Sequence, residues 1–165
     1  MAFRGRVWKF GDDVNTDLII PGRYLDNYDP AHLAAHVMEG ASRQFAGRVR
    51  RGDFVVAGRN FGCGSSREQA VIALKHAGVS AVVAKSFARI FYRNAVNLAL
   101  PVVVSPEAFA VFEEGEAAEL DMSANRFVSY DGLRVAAIEP MPPHLREILD
   151  AGGLVPFVKA GLKKR

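Results

Sequence analysis

Ser65, Ser66 and Arg67 follow directly on Gly62-Cys63-Gly64, and Glu68 opens a helix-like run behind them. That order gathers two hydroxyls, a guanidinium and free backbone N–H groups at the start of one helix. Gly62 and Gly64 permit a tight turn and let a ligand come close to the backbone. A helix N-terminus adds about half a positive charge and unpaired N–H donors. Arg67 contributes an always-protonated planar fork suited to bidentate carboxylate binding. Positive charge nearby favours an anion, so a serine in this field can act as a general base without a histidine partner. The loop by itself leaves two readings open. It is an anion cradle with a reactive serine, or Ser65 and Ser66 are N-cap residues and Arg67 is a surface side chain.

Other glycine-loop chemistries do not match. A phosphate-binding P-loop requires a lysine after its last glycine, and Ser65 follows Gly64. A dinucleotide fingerprint G-x-G-x-x-G would need glycine where Arg67 stands. No serine sits between alternate glycines, so the nucleophile elbow G-x-S-x-G is excluded too.

The elements around the loop follow from periodicity. Residues 6–10 alternate as a strand and Gly11-Asp12-Asp13 turns the chain. Residues 15–24, with Pro21-Gly22, read as a loop containing a short extended piece. Pro30 starts a helix through Met38, with Asp29 as N-cap and Gly40 as stop. Phe54-Val55-Val56-Ala57 is a buried strand, and a helix capped by Ser65 or Ser66 then runs to Gly78. A strand at 81–84, a helix at 88–98 and a strand at 101–104 complete an alternation that calls for parallel strands. Beyond Pro106 come a short helix at 107–113 and strands at 126–130 and 133–137 flanking the Asp131-Gly132 turn. A last helix at 143–151 stops at Gly152-Gly153. The expected architecture is α/β, a mixed sheet with flanking helices and a β-rich second layer. The chain reads as one domain over 1–165, with its motif-bearing core at about 6–104, a hairpin and helix at about 105–155, and a basic tail at 160–165.

Composition narrows the function classes. With 50% apolar and 24% charged residues the chain has a globular composition. The net charge of +3 largely reflects the tail Lys163-Lys164-Arg165, so a nucleic-acid footprint is not indicated and a frayed terminus is expected. Apolar runs are too short to span a bilayer, and the N-terminal residues lack the pattern of a secretory signal, which makes the cytoplasm the expected compartment. The one cysteine, Cys63, allows no intrachain disulfide and no cluster held by several thiolates of this chain. It reads as a small loop residue. His32 and His36 share an i, i+4 spacing but lack the acidic residue of H-E-x-x-H, so a structural role is expected for them. Trp8 and the phenylalanines are assigned to the core or to a subunit contact.

Three ordered motifs carry a family resemblance. They are Asn15-Thr16-Asp17 with Pro21-Gly22-Arg23-Tyr24-Leu25, the loop Gly62-Cys63-Gly64-Ser65-Ser66-Arg67-Glu68, and Ala84-Lys85-Ser86-Phe87-Ala88-Arg89-Ile90-Phe91-Tyr92-Arg93-Asn94. Together they resemble the swivelling domain of the aconitase superfamily and, within it, the family of 3-isopropylmalate dehydratase small subunits. The likeness is strong from about Arg6 to Val104 and weaker beyond.

The resemblance implies a swivelling β/β/α fold and a separate large subunit, in a heterodimer or heterotetramer, that carries a [4Fe–4S] cluster; the isolated chain is a candidate homo-oligomer. It implies that this chain binds no cofactor itself. The implied reaction removes water from a 2-hydroxy acid and returns it at the neighbouring carbon, with the cluster's open iron taking the hydroxyl as a Lewis acid. By the same likeness Ser65 is the base, Arg67 binds a substrate carboxylate, Ser66 and the Gly64 turn help with hydrogen bonds, and Asp17 supports the site. Arg23 aligns near a carboxylate-binding arginine, and Tyr24-Leu25-Asp26-Asn27 is the specificity loop. Asp26 is neither the apolar residue expected for an isopropyl group nor the arginine expected for a distal carboxylate, and its charge would repel a tricarboxylate. The implied substrate is isopropylmalate, with homoaconitate, citraconate/2-methylmalate and dimethylmalate as alternatives. From a different class, a stand-alone module for a small anion also fits the loop. Residues 85–89 are expected to support the fold and a domain contact, and Arg93, Asn94 and Asn97 to make buried hydrogen bonds near the site.

Overall fold

A computed structural model describes residues 2–165. Strand β1 (Ala2–Phe10) serves two sheets at once. Its second half, from Val7 to Phe10, pairs in parallel with β2 (Phe54–Ala57), and its first half pairs antiparallel with β5 (Ala117–Asp121). On one side β2 continues in parallel to β3 (Ala81–Ala84) and β4 (Val102–Val104). On the other side β5 continues antiparallel to β6 (Arg126–Ser129) and β7 (Val135–Ala137). The result is a seven-stranded mixed sheet in the order β4-β3-β2-β1-β5-β6-β7. The parallel half and the antiparallel second layer correspond to the expected α/β architecture.

The two-residue period of the strands sorts their side chains into two cores. Phe54, Val56, Ala81 and Val83 face Leu120, Phe127 and Ala136 from the antiparallel half. Val55, Ala57, Val82 and Ala84 face the opposite way, against Ile19, Leu33, Leu74 and Phe91 from the helices. Both faces of the parallel strands are covered, which is why they read as unbroken apolar runs. Each fully buried Val, Leu or Phe contributes about 1.5–3 kcal/mol. Helices as short as α1 (Thr16–Ile19), α3 (Phe45–Arg48) and α6 (Ala108–Val111) have no stability of their own and depend on that packing.

Longer helices lie where the periodicity puts them: α4 (Glu68–His76), α5 (Arg89–Asn97) and α7 (Pro143–Asp150). Four expectations are corrected. The segment at 15–24 holds α1 and a 3₁₀ turn, Gly22–Tyr24, where a loop with an extended piece was expected. The helix α2 (Pro30–Ala35) stops before Met38, whose φ of 57° is incompatible with continuing it, and Asp29 makes no capping bond. Neither serine caps α4; Arg67 occupies the N-cap position, so both hydroxyls are left to the loop. Finally, Gly152-Gly153 does not end the regular structure. Helix α8 (Leu154–Lys163) follows a left-handed turn at Gly153, packs near α5 and α7, and takes in most of the basic tail. Strand β5 and helix α3 have no counterpart in the sequence-based reading.

One buried carboxylate ties β1 to the start of β2. Asp53, 3% exposed, accepts hydrogen bonds from the Trp8 indole (2.9 Å) and from the backbone N–H groups of Arg50 (2.9 Å) and Arg6 (3.0 Å). Burial pushes this carboxyl up, but those donors and the Arg6 guanidinium together hold it below its ordinary value. No helix among the described residues is long and apolar enough to cross a membrane.

Candidate active site

The glycine loop between β2 and α4 is gripped from both sides. On one side Gly62 N–H donates to the Val14 carbonyl (2.8 Å) and Thr16 N–H donates to the Cys63 carbonyl (2.9 Å). On the other, Phe61 N–H donates to the Ser86 carbonyl (3.1 Å) and Ala88 N–H donates to the Phe61 carbonyl (2.9 Å). The Thr16 hydroxyl donates to the Ser65 carbonyl at 2.9 Å, which fixes the backbone that carries the serine. The three sequence motifs therefore meet at one place. Gly62 makes the meeting possible: its φ is +81°, and a Cβ there would sit 2.2 Å from Cγ of Phe91. Gly64, at φ +93°, turns the chain left-handed with more room around it.

Ser65 and Ser66 are exposed and line a cleft of about 330 Å³ together with Thr16, Gly64, Arg67 and the first turn of α5. Among the described residues nothing hydrogen-bonds the Ser65 hydroxyl, so it is free to meet a substrate. Asn94, on α5, reaches the Ser66 hydroxyl at 3.5 Å. The cleft thus lies between the start of α4 and the start of α5, two places where N–H groups have no intrahelical acceptor. Both starts favour negative charge.

Arg67 is not a loose surface side chain. It is 18% exposed, and its Nη1 donates to Asp17 Oδ1 (3.0 Å) and to the Ile20 carbonyl (3.1 Å). One nitrogen is spent on positioning, which leaves the rest of the fork for a ligand. The hydrogen bond from Arg67, then that from Gly22 N–H, holds the Asp17 carboxyl below its ordinary value, so Asp17 is ionised at neutral pH. Asp17, expected from the resemblance to support the site, is the anchor of Arg67.

The segment expected to set specificity, residues 24–27, is held separately. Arg23 pairs with Glu39 and stacks on the Tyr24 ring at 4.7 Å, and it does not line the Ser65 cleft. Tyr24 donates its hydroxyl to Glu39 (2.9 Å), His36 Nδ1 meets the same carboxylate (2.8 Å), and the Tyr24 and His36 rings stack at 3.7 Å. His32 packs edge-on against His36. The hydrogen bond from His36, followed by those from Tyr24 and Arg23, holds the Glu39 carboxyl below its ordinary value against the effect of burial. The two histidines and Tyr24 form one aromatic cluster. Gln69, two residues after Arg67, reaches the Leu25 carbonyl at 3.4 Å and tethers this segment to the site helix. Asp26 and Asn27 are exposed, and Asn27 folds back to accept from Asp29 N–H (2.9 Å).

Thr16 entered the sequence reading only as part of the Asn15-Thr16-Asp17 motif, without a role, and Glu39 and Gln69 did not enter it. Gln69 left a signal, as a polar residue at the buried edge of an apolar helix. Arg93, expected in a buried hydrogen bond, is exposed. Cys63 is the sole cysteine of the sequence, and no group of three or more potential metal ligands exists among the described residues. A thiolate-held cluster does not fit this chain.

An unengaged Ser65 hydroxyl and a fixed Arg67 thus line one cleft of an α/β domain. The chain belongs to the aconitase C-terminal domain family, whose match covers residues 13–107. It is similar to a 3-isopropylmalate dehydratase small subunit from Methanopyrus kandleri, with 54% identity over 96% of this chain and 93% of the relative. A methanogen homoaconitase small subunit from Methanothermobacter thermautotrophicus is 53% identical over 92% of this chain and 88% of its own length. Among solved structures, a 3-isopropylmalate dehydratase from Methanocaldococcus jannaschii superposes with a TM-score of 0.93 at 48% identity, covering 98% of this chain and 95% of the other.

Proposed function

We propose that this chain is the small subunit of a hydro-lyase that interconverts 2-isopropylmalate and 3-isopropylmalate by dehydration and rehydration. One observation carries the reading: three separated motifs converge so that the Ser65 hydroxyl is unengaged and Arg67 is fixed beside it. A C–H next to a carboxylate is weakly acidic, so removing its proton needs positive groups aimed at the charge that develops. Arg67 holds the carboxylate, the helix N-termini stabilise the anion, and Ser65 takes the proton. Ser66 and Gly64 complete the hydrogen-bonding wall. The hydroxyl departs on the side of the cleft this chain leaves open, with help from a large subunit on which a [4Fe–4S] cluster is expected. Relatives named as small subunits support such a partner. Heterodimeric or heterotetrameric assembly and a cytoplasmic location go with this reading.

Homoaconitate is the second reading, because the homoaconitase relative is nearly as similar as the isopropylmalate relatives. The exposed carboxylate of Asp26 argues against it, since a tricarboxylate would meet like charge at the specificity segment. Reconstitution with a large subunit and a panel of 3-isopropylmalate, homoaconitate, 2-methylmalate and dimethylmalate decides. Isopropylmalate should have the highest kcat/KM by about tenfold or more, the discrimination one substituent can supply. Preference for homoaconitate would replace the substrate assignment. Carboxylate binding by the isolated chain, with no turnover on adding any large subunit, would leave an anion-binding module instead.

A further inference from the structure

The Ser65 cleft has a larger neighbour. A groove of about 820 Å³ runs along the other side of α5, between that helix, the end of β4 and the start of α7. Phe87, Tyr92 and Leu145 contribute apolar surface to it. Its charged wall holds Lys85, Arg89 and Arg93 against a single carboxylate, Glu139.

Several cations among the described residues, Arg43, Arg48, Arg50, Arg51 and Arg126 included, make no ion pair, but Lys85, Arg89 and Arg93 line one groove. Arg4, Arg6, Arg23, Arg59, Arg67, Arg134 and Arg146 each meet an acid. Among the described residues, Arg89 and Arg93 meet none, and the Lys85 ammonium forms no ion pair. It lies 5.7 Å from the Phe109 ring and, behind the Arg59 backbone N–H and guanidinium, helps hold the Asp12 carboxyl below its ordinary value only by its charge. Arg89 lines both the groove and the catalytic cleft, so the two are continuous around the N-terminus of α5. Beside it Ile90 is 54% exposed on the cleft rim. An uncovered apolar side chain next to unpaired arginines, at the mouth of a half-site, has the make-up of a protein contact.

We infer that this groove is the docking site for an acidic segment of the large subunit, one that carries an apolar side chain among its carboxylates. The inference rests on the small-subunit reading above. The segment's carboxylates pair with Lys85, Arg89 and Arg93, its apolar residue covers Phe87 and Leu145, and Arg89 carries the contact round to the cleft. Docking there closes the open side of the site against water and steers the two chains together through opposite charge.

The test uses the reconstituted enzyme and the charge reversals Lys85→Glu and Arg93→Glu, singly and together, neither of which lines the Ser65 cleft. The double variant should bind the large subunit about 10–100-fold more weakly, through a slower association rate and a flatter salt dependence. At saturating large subunit its kcat should stay within about twofold of wild type, and the thermal midpoint of the isolated chain should not move. Affinity and salt dependence equal to wild type, in a pair that turns over substrate, would overturn the docking site alone. A change confined to self-association of the isolated chain would overturn it too, by making a second copy the occupant. A wild-type pair that assembles with charge-dependent affinity but turns over no 2-hydroxy diacid would support the docking site and sink the assigned reaction.

Discussion

Arg67 Nη1 lies 3.0 Å from Asp17 Oδ1, an ion pair that joins the Asn15-Thr16-Asp17 motif to the Ser65-Ser66-Arg67 motif across 50 residues of sequence. Because Arg67 also donates to the Ile20 carbonyl, the orientation of its fork is set before any substrate arrives. Pre-orientation of this kind lowers the cost of binding a carboxylate in the reactive geometry.

Replacing Asp17 should therefore act through Arg67. Asp17→Ala should lower kcat/KM by about 10–100-fold with the large subunit saturating. Asp17→Asn keeps an acceptor oxygen and should lose less. Steady-state kinetics of the two variants check this, and equal losses would mean that the charge of Asp17 itself is required in the chemistry.

Ser65→Ala should cut kcat by about 10²–10⁴-fold, the range for loss of a positioned proton-transfer group. The side chain is exposed and unengaged, so thermal unfolding and assembly with the large subunit should match wild type. Ser66→Ala should cost less than Ser65→Ala. Turnover retained in the Ser65 variant would remove it as the base.

The two loop glycines should behave differently. Gly62→Ala drives a methyl group to 2.2 Å from the Phe91 ring at a φ of +81°, so it should destabilise the fold by about 3 kcal/mol or more. Gly64→Ala meets only ordinary contacts, 3.6 Å from Asn15 and Thr16, and should cost about 1–2 kcal/mol from its left-handed backbone. Denaturant midpoints of the two variants give the comparison. Similar losses would show that backbone strain, and not the Phe91 contact, sets the cost.

Acid should loosen the junction of β1 and β2 through Asp53. Its folded pKa is lowered, so its ionised form adds stability that is complete above the unfolded value of about 3.9. That stability disappears as pH falls through the lower folded value. Asp53→Ala leaves the Trp8 indole and two backbone N–H groups without their acceptor and should cost about 3 kcal/mol. Trp8 is the only tryptophan, so its emission follows the site directly. Wild-type stability should fall more steeply than that of Asp53→Asn below about pH 4. Parallel acid profiles would show that another carboxylate dominates.

Much of this protein was legible in one dimension. The unbroken apolar runs at β2, β3 and β4 announce parallel strands buried on both faces, and Asp131-Gly132 announces the turn between β6 and β7, because both signals are local. The loop chemistry was legible for the same reason: Gly62, Gly64, the serines and Arg67 are neighbours in sequence. Less local features were not. The division of β1 between a parallel and an antiparallel partner depends on strands from opposite ends of the chain. Helix α8 has no buried residue and ends in lysines, so its pattern reads as a tail.

What tertiary structure decided is the state of each functional group. Only packing brings Thr16 to the Ser65 carbonyl, Asp17 to Arg67 and Gln69 to Leu25. Arg67 thereby becomes an oriented anchor while Ser65 stays free, and Arg23 is taken up by Glu39. The serine, the arginine and their adjacency come from the sequence itself. Which of them is held and which is left to react follows from contacts 44 to 50 residues apart, which local spacing cannot encode.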